Sequence, residues 1–176
     1  MPVVESSVVV PLDAATAFAV SQTTGEVRLR WDPFIRRQWF TDGSVHPGKG
    51  VRTRTRHRLG FVMDSEYVSW NPPRNVGMRM LGGPPFFASF AGGWQFRPVD
   101  GDLASTTAIW RYSFTIRPPW LRPIADRIGV WVLGRDLRRR IAGYAAGCVD
   151  PVVVVAARAD MAARGEDGES GPASEA

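Results

Sequence analysis

Cysteine, histidine and lysine are scarce in this chain. Cys148 is the only cysteine, so no internal disulfide can form, and this usage fits a reducing cytoplasm. One cysteine and two histidines do not supply the ligands of a structural zinc site, and no metal is expected. Lys49 is the only lysine, so arginine carries almost all of the positive charge.

Long apolar runs are also absent. No stretch reaches the roughly eighteen consecutive apolar residues of a transmembrane helix, so no membrane span is predicted. The opening MPVVESSVVVPLD has no basic segment and reaches Glu5 early, unlike a secretory signal, and a cytoplasmic location is the expectation. A chain of 176 residues with 44% hydrophobic and 22% charged residues suits one domain with a sizeable core.

The positive charge is concentrated in the body of the chain. Residues 160–176 hold five acids and one base, which leaves 21 bases and 12 acids in residues 1–159, a net charge of +9. Such a body can attract RNA, an anionic membrane or an acidic carrier protein. The glycine-rich segments HPGKG and LGGPP lack the phosphate-loop pattern and indicate turns, so no nucleotide cofactor is expected.

The order of hydrophobic patterns predicts an α+β domain. A valine-rich strand at 3–10 is followed by two short helices, the first with Asp13 as its N-cap. Strands at hairpin-like spacing follow, about seven in all, and a long helix runs from Pro123 to about Gly147. One curved antiparallel sheet then covers the helix and leaves a cavity between them.

The predicted domain covers residues 1–150. Pro151 should end the long helix, and the segment 151–176 is predicted as an extension that is mostly a disordered tail. Within that extension, VVVVAARADMAARG is ambiguous between helix and loop. No internal repeats are present.

Strict alternation assigns the faces of the strand VRTRTRHRLG, residues 51–60. Four unpaired guanidinium groups cannot share a core, so the arginines face solvent. Thr53, Thr55 and His57 then face the cavity.

The return strand, FVMDSEYVSW, has two possible frames. An odd-numbered connection places Arg56 opposite Asp64 and Arg54 opposite Glu66 on the outer face. A two-residue turn at Gly60-Phe61 instead turns Asp64 inward as an acid–base partner of His57. Pairing of opposite charges outside favours the first frame. In that frame, the inward residues are Phe61, Met63, Ser65, Tyr67 and Ser69.

The remaining strands supply an aromatic and methionine-rich inner face. In FFASFAGGWQF, alternation places Phe86, Phe90 and Trp94 inside and Phe87 outside. Gly92-Gly93 would allow a sharp bend in this strand. The predicted ligand-contacting residues are Trp31, Thr53, Thr55, Met63, Ser65, Ser69, Met78, Met80, Phe86, Phe90, Trp94 and Trp110. Such a lining suits an apolar molecule, aromatic or lipidic.

Several segments, in this order, resemble the SRPBCC superfamily, which includes START domains. They are VESSVVVPLDAATAFAV, RWDPF, YVSWNPPRN, GGWQFRPVDGD, WRYSF and RDLRRRIAGY, within residues 3–147. The polyketide cyclase/dehydrase branch is the most similar. The resemblance implies a helix-grip fold, in which a curved sheet wraps around a long C-terminal helix.

The resemblance also implies an activity. In tetracenomycin-type aromatase/cyclases, aromatic side chains line a pocket that folds a poly-β-ketone, and Trp31, Trp94 and Trp110 match the lining tryptophans. A pocket serine matches Ser65 or Ser69. The branch's arginine does not carry over, because that frame holds Tyr67 or Asn71 here, and its tyrosine falls in the segment IRRQWF without a clear match.

The sequence suggests three functions. The first is a cofactor-independent polyketide cyclase or dehydratase with Tyr67, His57 and Tyr112 as acid/base candidates. An acidic acyl carrier protein is then a candidate partner for the helix arginines Arg135, Arg138, Arg139 and Arg140. The second is a non-catalytic carrier or sensor of a lipid or other hydrophobic ligand. Nucleic-acid binding ranks last, because the aromatics and the arginines lie on opposite faces. The sequence leaves the oligomeric state open.

Overall fold

One antiparallel sheet wraps around one long helix. This computed structural model describes residues 1–169, with side chains as far as residue 165. The elements in chain order are β1 (Val3–Val10), α1 (Ala14–Ser21), α2 (Gly25–Trp31), β2 (Ile35–Phe40), β3 (Arg52–His57), β4 (Val62–Asn71), β5 (Asn75–Gly82), β6 (Phe87–Val99), β7 (Asp102–Ile116), α3 (Arg122–Gly147) and α4 (Pro151–Glu169). A short 3-10 helix, Pro119–Leu121, precedes α3.

The seven strands form one sheet in the order β1-β7-β6-β5-β4-β3-β2, with antiparallel neighbours throughout. Because β1 pairs with β7 and β2 lies at the opposite edge, α1 and α2 connect the two edges. Helix α3 crosses the inner face and contacts β1 and β7. The predicted α+β helix-grip fold, with its seven strands and two short helices, is confirmed. The predicted cap is confirmed too, since an Asp13 carboxylate oxygen accepts from the Thr16 N–H at 2.9 Å.

The core is concentrated under the C-terminal half of α3. Leu137, Ile141 and Tyr144 recur at helical spacing and are buried. The Tyr144 hydroxyl donates to the Ala17 carbonyl of α1 at 2.8 Å. The N-terminal half of α3 has exposed isoleucines and covers an open space instead. The cavity therefore lies between the sheet and the first half of α3.

The outer arginines of β3 pair with acids of β4. Arg54 lies opposite Asp64 and Arg52 opposite Glu66, two residues away from the predicted Arg54–Glu66 and Arg56–Asp64 pairs. The Arg54 guanidinium holds the two Asp64 oxygens at 2.6 and 2.8 Å. The predicted arginine face is therefore correct, while its partners are displaced along the strand.

The displacement originates in the β3–β4 turn. The His57 N–H donates to the Phe61 carbonyl at 2.8 Å, so these two residues face each other. The three residues between them, 58–60, form the connection, with Leu59 at its centre. The connection is odd-numbered, as in the favoured frame. Asp64 is thereby fixed on the outer face, and the alternative dyad of Asp64 with His57 does not exist.

Two register shifts reverse predicted side-chain directions. In β4, the shift between Tyr67 and Ser69 turns Ser69 to the outer face, where it lines a separate depression in the sheet. In β6, the shift between Phe87 and Ser89 turns Phe87 inward, where its ring lies 6.2 Å from that of Phe114. A β-bulge inserts one residue and inverts the alternation beyond it, so period-two reasoning is wrong at both positions.

Part of the predicted disordered extension is a helix. Helix α4 spans Pro151–Glu169, and its Val153 and Ala157 are fully buried in the same core as α1. The ambiguous segment is therefore helical. From the sequence, disorder is expected for residues 166–176, but residues 166–169 belong to α4, and residues 170–176 lie outside the described residues. The domain boundary at residue 150 stays a prediction.

Candidate functional site

An apolar cavity of about 560 Å³ opens between the sheet and α3. Its walls come from the inner faces of β2 to β7, from α2 and the turn that precedes it, and from one face of α3. On α3, the lining residues Ala125, Ile128, Gly129, Val132, Leu133, Asp136 and Arg140 recur every three or four positions. The size and the lining are those of a site for a small apolar molecule.

Most of the residues predicted from the sequence line this cavity. Those that do are Thr55, His57, Met63, Ser65, Tyr67, Met78, Met80, Phe86, Phe90, Trp94, Trp110 and Tyr112. The structure thus brings the three acid/base candidates into one space. Their catalytic and ligand-binding roles stay predictions.

Three predicted ligand contacts lie elsewhere. Ser69 is on the outer face, as described above. Thr53 is buried within the sheet and is not part of the cavity wall. Trp31 packs between α2 and α3, where a β-carbon at Gly147 would lie 2.8 Å from the Trp31 side chain. Its indole N–H donates to the Thr23 hydroxyl in the α1–α2 turn at 2.9 Å, and its ring meets that of Tyr144 on α3 at 5.6 Å between centres.

A buried ionic cluster forms the polar end of the cavity. The Asp32 carboxylate is fully buried and receives a bidentate contact from Arg140, at 3.1 and 2.6 Å. Arg28 donates to the same carboxylate at 3.0 and 2.9 Å and to the Ser21 carbonyl at 2.5 Å. Two cations and one anion leave this cluster with a net charge of +1 if all three are ionised. Arg140 is therefore buried and cannot make the surface contact with a carrier protein that is predicted for the helix arginines.

Electrostatics supports the ionised state of Asp32. Burial alone would raise the pKa of this carboxyl group, but the charges of Arg140 and Arg28 outweigh burial and hold its pKa below the ordinary value. Burial and the nearby Arg140 lower the pKa of Arg28, while Asp32 opposes them. The single carboxylate therefore separates two guanidinium groups that would otherwise repel each other in a dry site.

Tyr112 connects this cluster to the apolar space. The Arg140 Nη1 donates to the Tyr112 hydroxyl at 2.5 Å. Arginine has no acceptor, so the phenol oxygen accepts and keeps its proton for a second hydrogen bond. Burial is the main cause that raises the pKa of Tyr112, and Arg140 opposes it, so the phenol is neutral at pH 7. The Tyr112 hydroxyl is thus a polarised donor at the end of an aromatic pocket.

Aromatic rings fix Arg140 in this position. Its guanidinium carbon lies 4.2 Å from the ring centre of Trp110 and 4.3 Å from that of Phe34. Cation–π contacts of this kind are strongest where water is excluded. The Tyr112 ring is also held in place, because it packs against Gly92 of the sheet. A β-carbon at this position would lie 2.8 Å from the ring, so the absence of a side chain makes room for Tyr112.

Two further titratable groups line the cavity. Burial raises the pKa of the Asp136 carboxyl, although Arg140 and His57 oppose this shift. Burial lowers the pKa of His57, and Asp136 opposes that shift. The Leu59 N–H donates to Nδ1 of His57 at 2.9 Å, which places the proton of the neutral ring on Nε2. His57 thus supplies a neutral imidazole, and Asp136 supplies a carboxylate that is more basic than an ordinary aspartate.

Tyr67 occupies a more enclosed part of the wall. Its hydroxyl donates to the Gln22 side-chain oxygen over a long 3.4 Å, and burial raises its pKa to about 12. Tyr67 is therefore a neutral hydrogen-bond donor at pH 7.

The sequence reasoning missed Arg28, Asp32, Asp136 and Arg140 as parts of the site. One signal could have identified Arg140, because it falls three residues after Leu137 and four before Tyr144, on the buried stripe of α3. Asp32 is the C-cap of α2 and follows Arg28 by four residues, the spacing of a helical ion pair. Their contact with Arg140, 108 residues later, has no local signal.

Among the described residues, no group of three or more histidine, cysteine, aspartate or glutamate side chains could hold a metal ion. No single helix in this part of the chain is both long and apolar enough to cross a membrane. The helical segments Pro119–Gly147 and Pro151–Gly165, bent by 84° at their junction, meet those criteria only as a pair.

Fold and cavity together define a START-like hydrophobic-ligand binding domain. The sequence profile of the family described as polyketide cyclase / dehydrase and lipid transport matches residues 1–147, and the chain belongs to this family. No curated protein matches the sequence significantly.

Solved structures share the fold at low identity. A START superfamily protein from Mycobacterium smegmatis is 14% identical with a TM-score of 0.67, over 82% of this chain and 94% of that one. Protein XoxI from Bacillus cereus is 11% identical with a TM-score of 0.69, over 85% and 97%. The di-domain ARO/CYC BexL from the BE-7585A biosynthetic pathway is 15% identical with a TM-score of 0.63, over 85% of this chain and 50% of BexL.

We expect His57 to titrate below about 6.5, the ordinary histidine value, because burial disfavours the imidazolium ion. Long-range ¹H–¹⁵N NMR spectra across a pH series would give this pKa and the Nε2–H tautomer. Asp136→Asn should lower the pKa further, since the carboxylate favours the charged ring. An unchanged or higher pKa in this variant would contradict the coupling of the two side chains.

Proposed function

We propose that the cavity binds an apolar aromatic ketone of polyketide type and catalyses its enolisation, the step that precedes ring closure and loss of water. The observation that carries the proposal is the Tyr112 hydroxyl, polarised by Arg140 at the end of an apolar cavity. Family membership and the likeness to the ARO/CYC protein BexL support a role of this kind, as in antibiotic biosynthesis.

In this proposal, two neighbouring groups at the polar end of the cavity have complementary roles. The ketone oxygen would accept a hydrogen bond from Tyr112, with Arg140 stabilising the negative charge that develops on that oxygen. Asp136 lies one helical turn from Arg140 on the same cavity-facing side of α3. Its carboxylate, made more basic by burial, would take the proton from the carbon next to the carbonyl.

The proton balance is complete without a cofactor. The C–H electron pair forms the enolate double bond, the carbonyl electrons move to oxygen, and the proton resides on Asp136. The enolate carbon then attacks a second carbonyl of the same chain, and the protonated carboxyl group can return its proton to the new alkoxide. Loss of that hydroxyl group with another α-proton releases water. His57, coupled to Asp136, would relay protons at this wall.

The test is deuterium exchange of a simple ketone. 1-Tetralone in D₂O exchanges its C2 protons slowly, and NMR measures the rate with and without protein. We expect the protein to accelerate exchange, and Asp136→Asn to reduce the acceleration about 10²-fold or more. Asp64→Asn, an acid of the outer face paired with Arg54, is the matched control and should retain the full rate.

A non-catalytic carrier is the second candidate function. It is favoured by the internal pairing of Arg28, Asp32 and Arg140, which satisfies most of the cluster without a ligand. If 1-tetralone binds and its exchange stays at the buffer rate, the enzyme proposal is wrong and the carrier function is supported. The single buried cysteine, Cys148, is consistent with a cytoplasmic location for either function.

A further inference from the structure

An apolar strip lies exposed beside the cavity mouth. Trp120, Ile124, Ile128 and Trp131 follow one another at intervals of four, four and three residues, on one side of α3 and the 3-10 turn before it. Their exposed fractions are 76%, 67%, 57% and 63%. Four large apolar side chains projecting in a row exceed the scattered surface hydrophobics of ordinary proteins. We call these four residues the exposed strip.

Exposed arginines alternate along the chain with the residues of the exposed strip. From residue 117 to residue 139 the chain has six arginines, all exposed, and two aspartates, a net charge of +4. The six are Arg117, Arg122, Arg127, Arg135, Arg138 and Arg139. None of them forms an ion pair with an acidic side chain in the described part of the chain. This surface therefore combines unpaired positive charge with apolar area.

The strip is continuous with the cavity mouth. Ile128 belongs to the exposed strip and also lines the cavity. The half-exposed Val132, one helical turn further along α3, lines the cavity as well. Across the mouth, the half-exposed rings of Phe61 and Phe86 meet edge to face at 6.0 Å between centres. A molecule leaving an apolar phase at this surface would enter the cavity without crossing bulk water.

We propose that the exposed strip docks this protein onto an anionic lipid bilayer, so that the cavity exchanges its ligand with the membrane. Tryptophan and isoleucine would insert at the boundary of headgroups and acyl chains, and the arginines would bind lipid phosphates. Each basic side chain near such a surface adds to the attraction. The inference is independent of whether the cavity is catalytic.

Two other occupants fit the surface less well. An acidic carrier protein would be held by the arginines, which leaves the exposure of Trp120 and Trp131 without a reason. A second copy of the chain, meeting strip to strip about a two-fold axis, would bring the basic flanks of both copies together. Only a bilayer offers acyl chains and phosphates in adjacent layers.

Vesicle flotation tests the proposal. The full chain is mixed with phosphatidylcholine vesicles with or without 30% phosphatidylglycerol. We expect the protein to bind the anionic vesicles. Binding should be at least ten-fold weaker when phosphatidylglycerol is left out, and high salt should weaken binding to the anionic vesicles to a similar extent. The double variant Trp120→Ala/Trp131→Ala should bind at least ten-fold more weakly. Leu103→Ala, which removes an 82% exposed leucine from the β6–β7 hairpin, is the matched control and should bind as wild type.

Three results would overturn the proposal. One is the absence of vesicle binding by a folded wild-type chain, with folding checked by its circular dichroism melt. Another is that light scattering shows a dimer for the wild-type chain and a monomer for the double variant. The third is that the protein binds an acidic acyl carrier protein through the exposed strip but does not bind vesicles. None of these bears on ketone exchange, so the two proposals can fail separately.

Discussion

Asp32→Asn should be the most destabilising single substitution in the polar cluster, at about 3–5 kcal/mol, because it leaves two guanidinium groups buried without their shared carboxylate. At about 2–4 °C per kcal/mol for a chain of this size, the melting temperature should fall by about 6–20 °C. A thermal melt followed by circular dichroism measures this change.

The matched control is Asp64→Asn on the outer face. Asp64 accepts a bidentate contact from one arginine, much as Asp32 does from Arg140, but its pair is exposed to solvent. We expect the melting temperature of this variant to be nearly that of wild type. Equal effects at the two positions would contradict a stabilising role for the buried cluster.

Acid should weaken the same cluster. The pKa of Asp32 in the folded state lies below its ordinary value, so the carboxylate contributes stability at all pH values above the unfolded-state pKa of about 3.9. That contribution is lost as the pH falls below this value and through the folded-state pKa. The difference in stability between wild type and Asp32→Asn should therefore shrink below about pH 4.

Tyr112→Phe should reduce 1-tetralone exchange by about 10²–10³-fold, the usual effect of removing one donor from a site that stabilises a developing oxyanion. The ring remains, so packing against Trp110 and the space beside Gly92 are preserved. Binding should weaken far less than the rate, because the hydrogen bond strengthens as negative charge develops. NMR exchange rates at saturating ketone separate the two effects.

Tyr67→Phe is the control for this substitution. Both tyrosines are buried cavity residues, but the Tyr67 hydroxyl donates to Gln22 at 3.4 Å, whereas the Tyr112 hydroxyl accepts from Arg140 at 2.5 Å. Its loss should change the exchange rate only a few-fold. A larger loss for Tyr67→Phe than for Tyr112→Phe would place the oxyanion at the other wall of the cavity.

The fold follows from local patterns that the sequence displays. Alternation along β3 and β7 predicts which side chains face inward, and helical spacing predicts α3. These patterns succeed because each depends on a few neighbouring residues and on burial of one face. They fail at Ser69 and Phe87, where a bulge inverts the alternation and the residues left out of the register, Val68 and Ala88, are neither glycine nor proline.

The polar end of the cavity could not be predicted in this way. Asp32 and Arg140 meet across 108 residues, and a charged residue near a helix end is normally interpreted as solvent-exposed. The stripe of Leu137, Arg140 and Tyr144 indicates a buried position, but Arg140 also belongs to a run of arginines at 138–140, which is typical of an exposed helix face. Trp31 shows the converse error, because a tryptophan suited to a pocket instead packs between helices.

The most direct test is the carbonyl ¹³C resonance of labelled 1-tetralone bound to the wild-type protein. A hydrogen bond from Tyr112, polarised by Arg140, should move this resonance downfield by several parts per million relative to the ketone in an apolar solvent, and Tyr112→Phe should remove the shift. A bound ketone whose resonance matches the apolar solvent, in the wild type as in the variant, would contradict the proposed site.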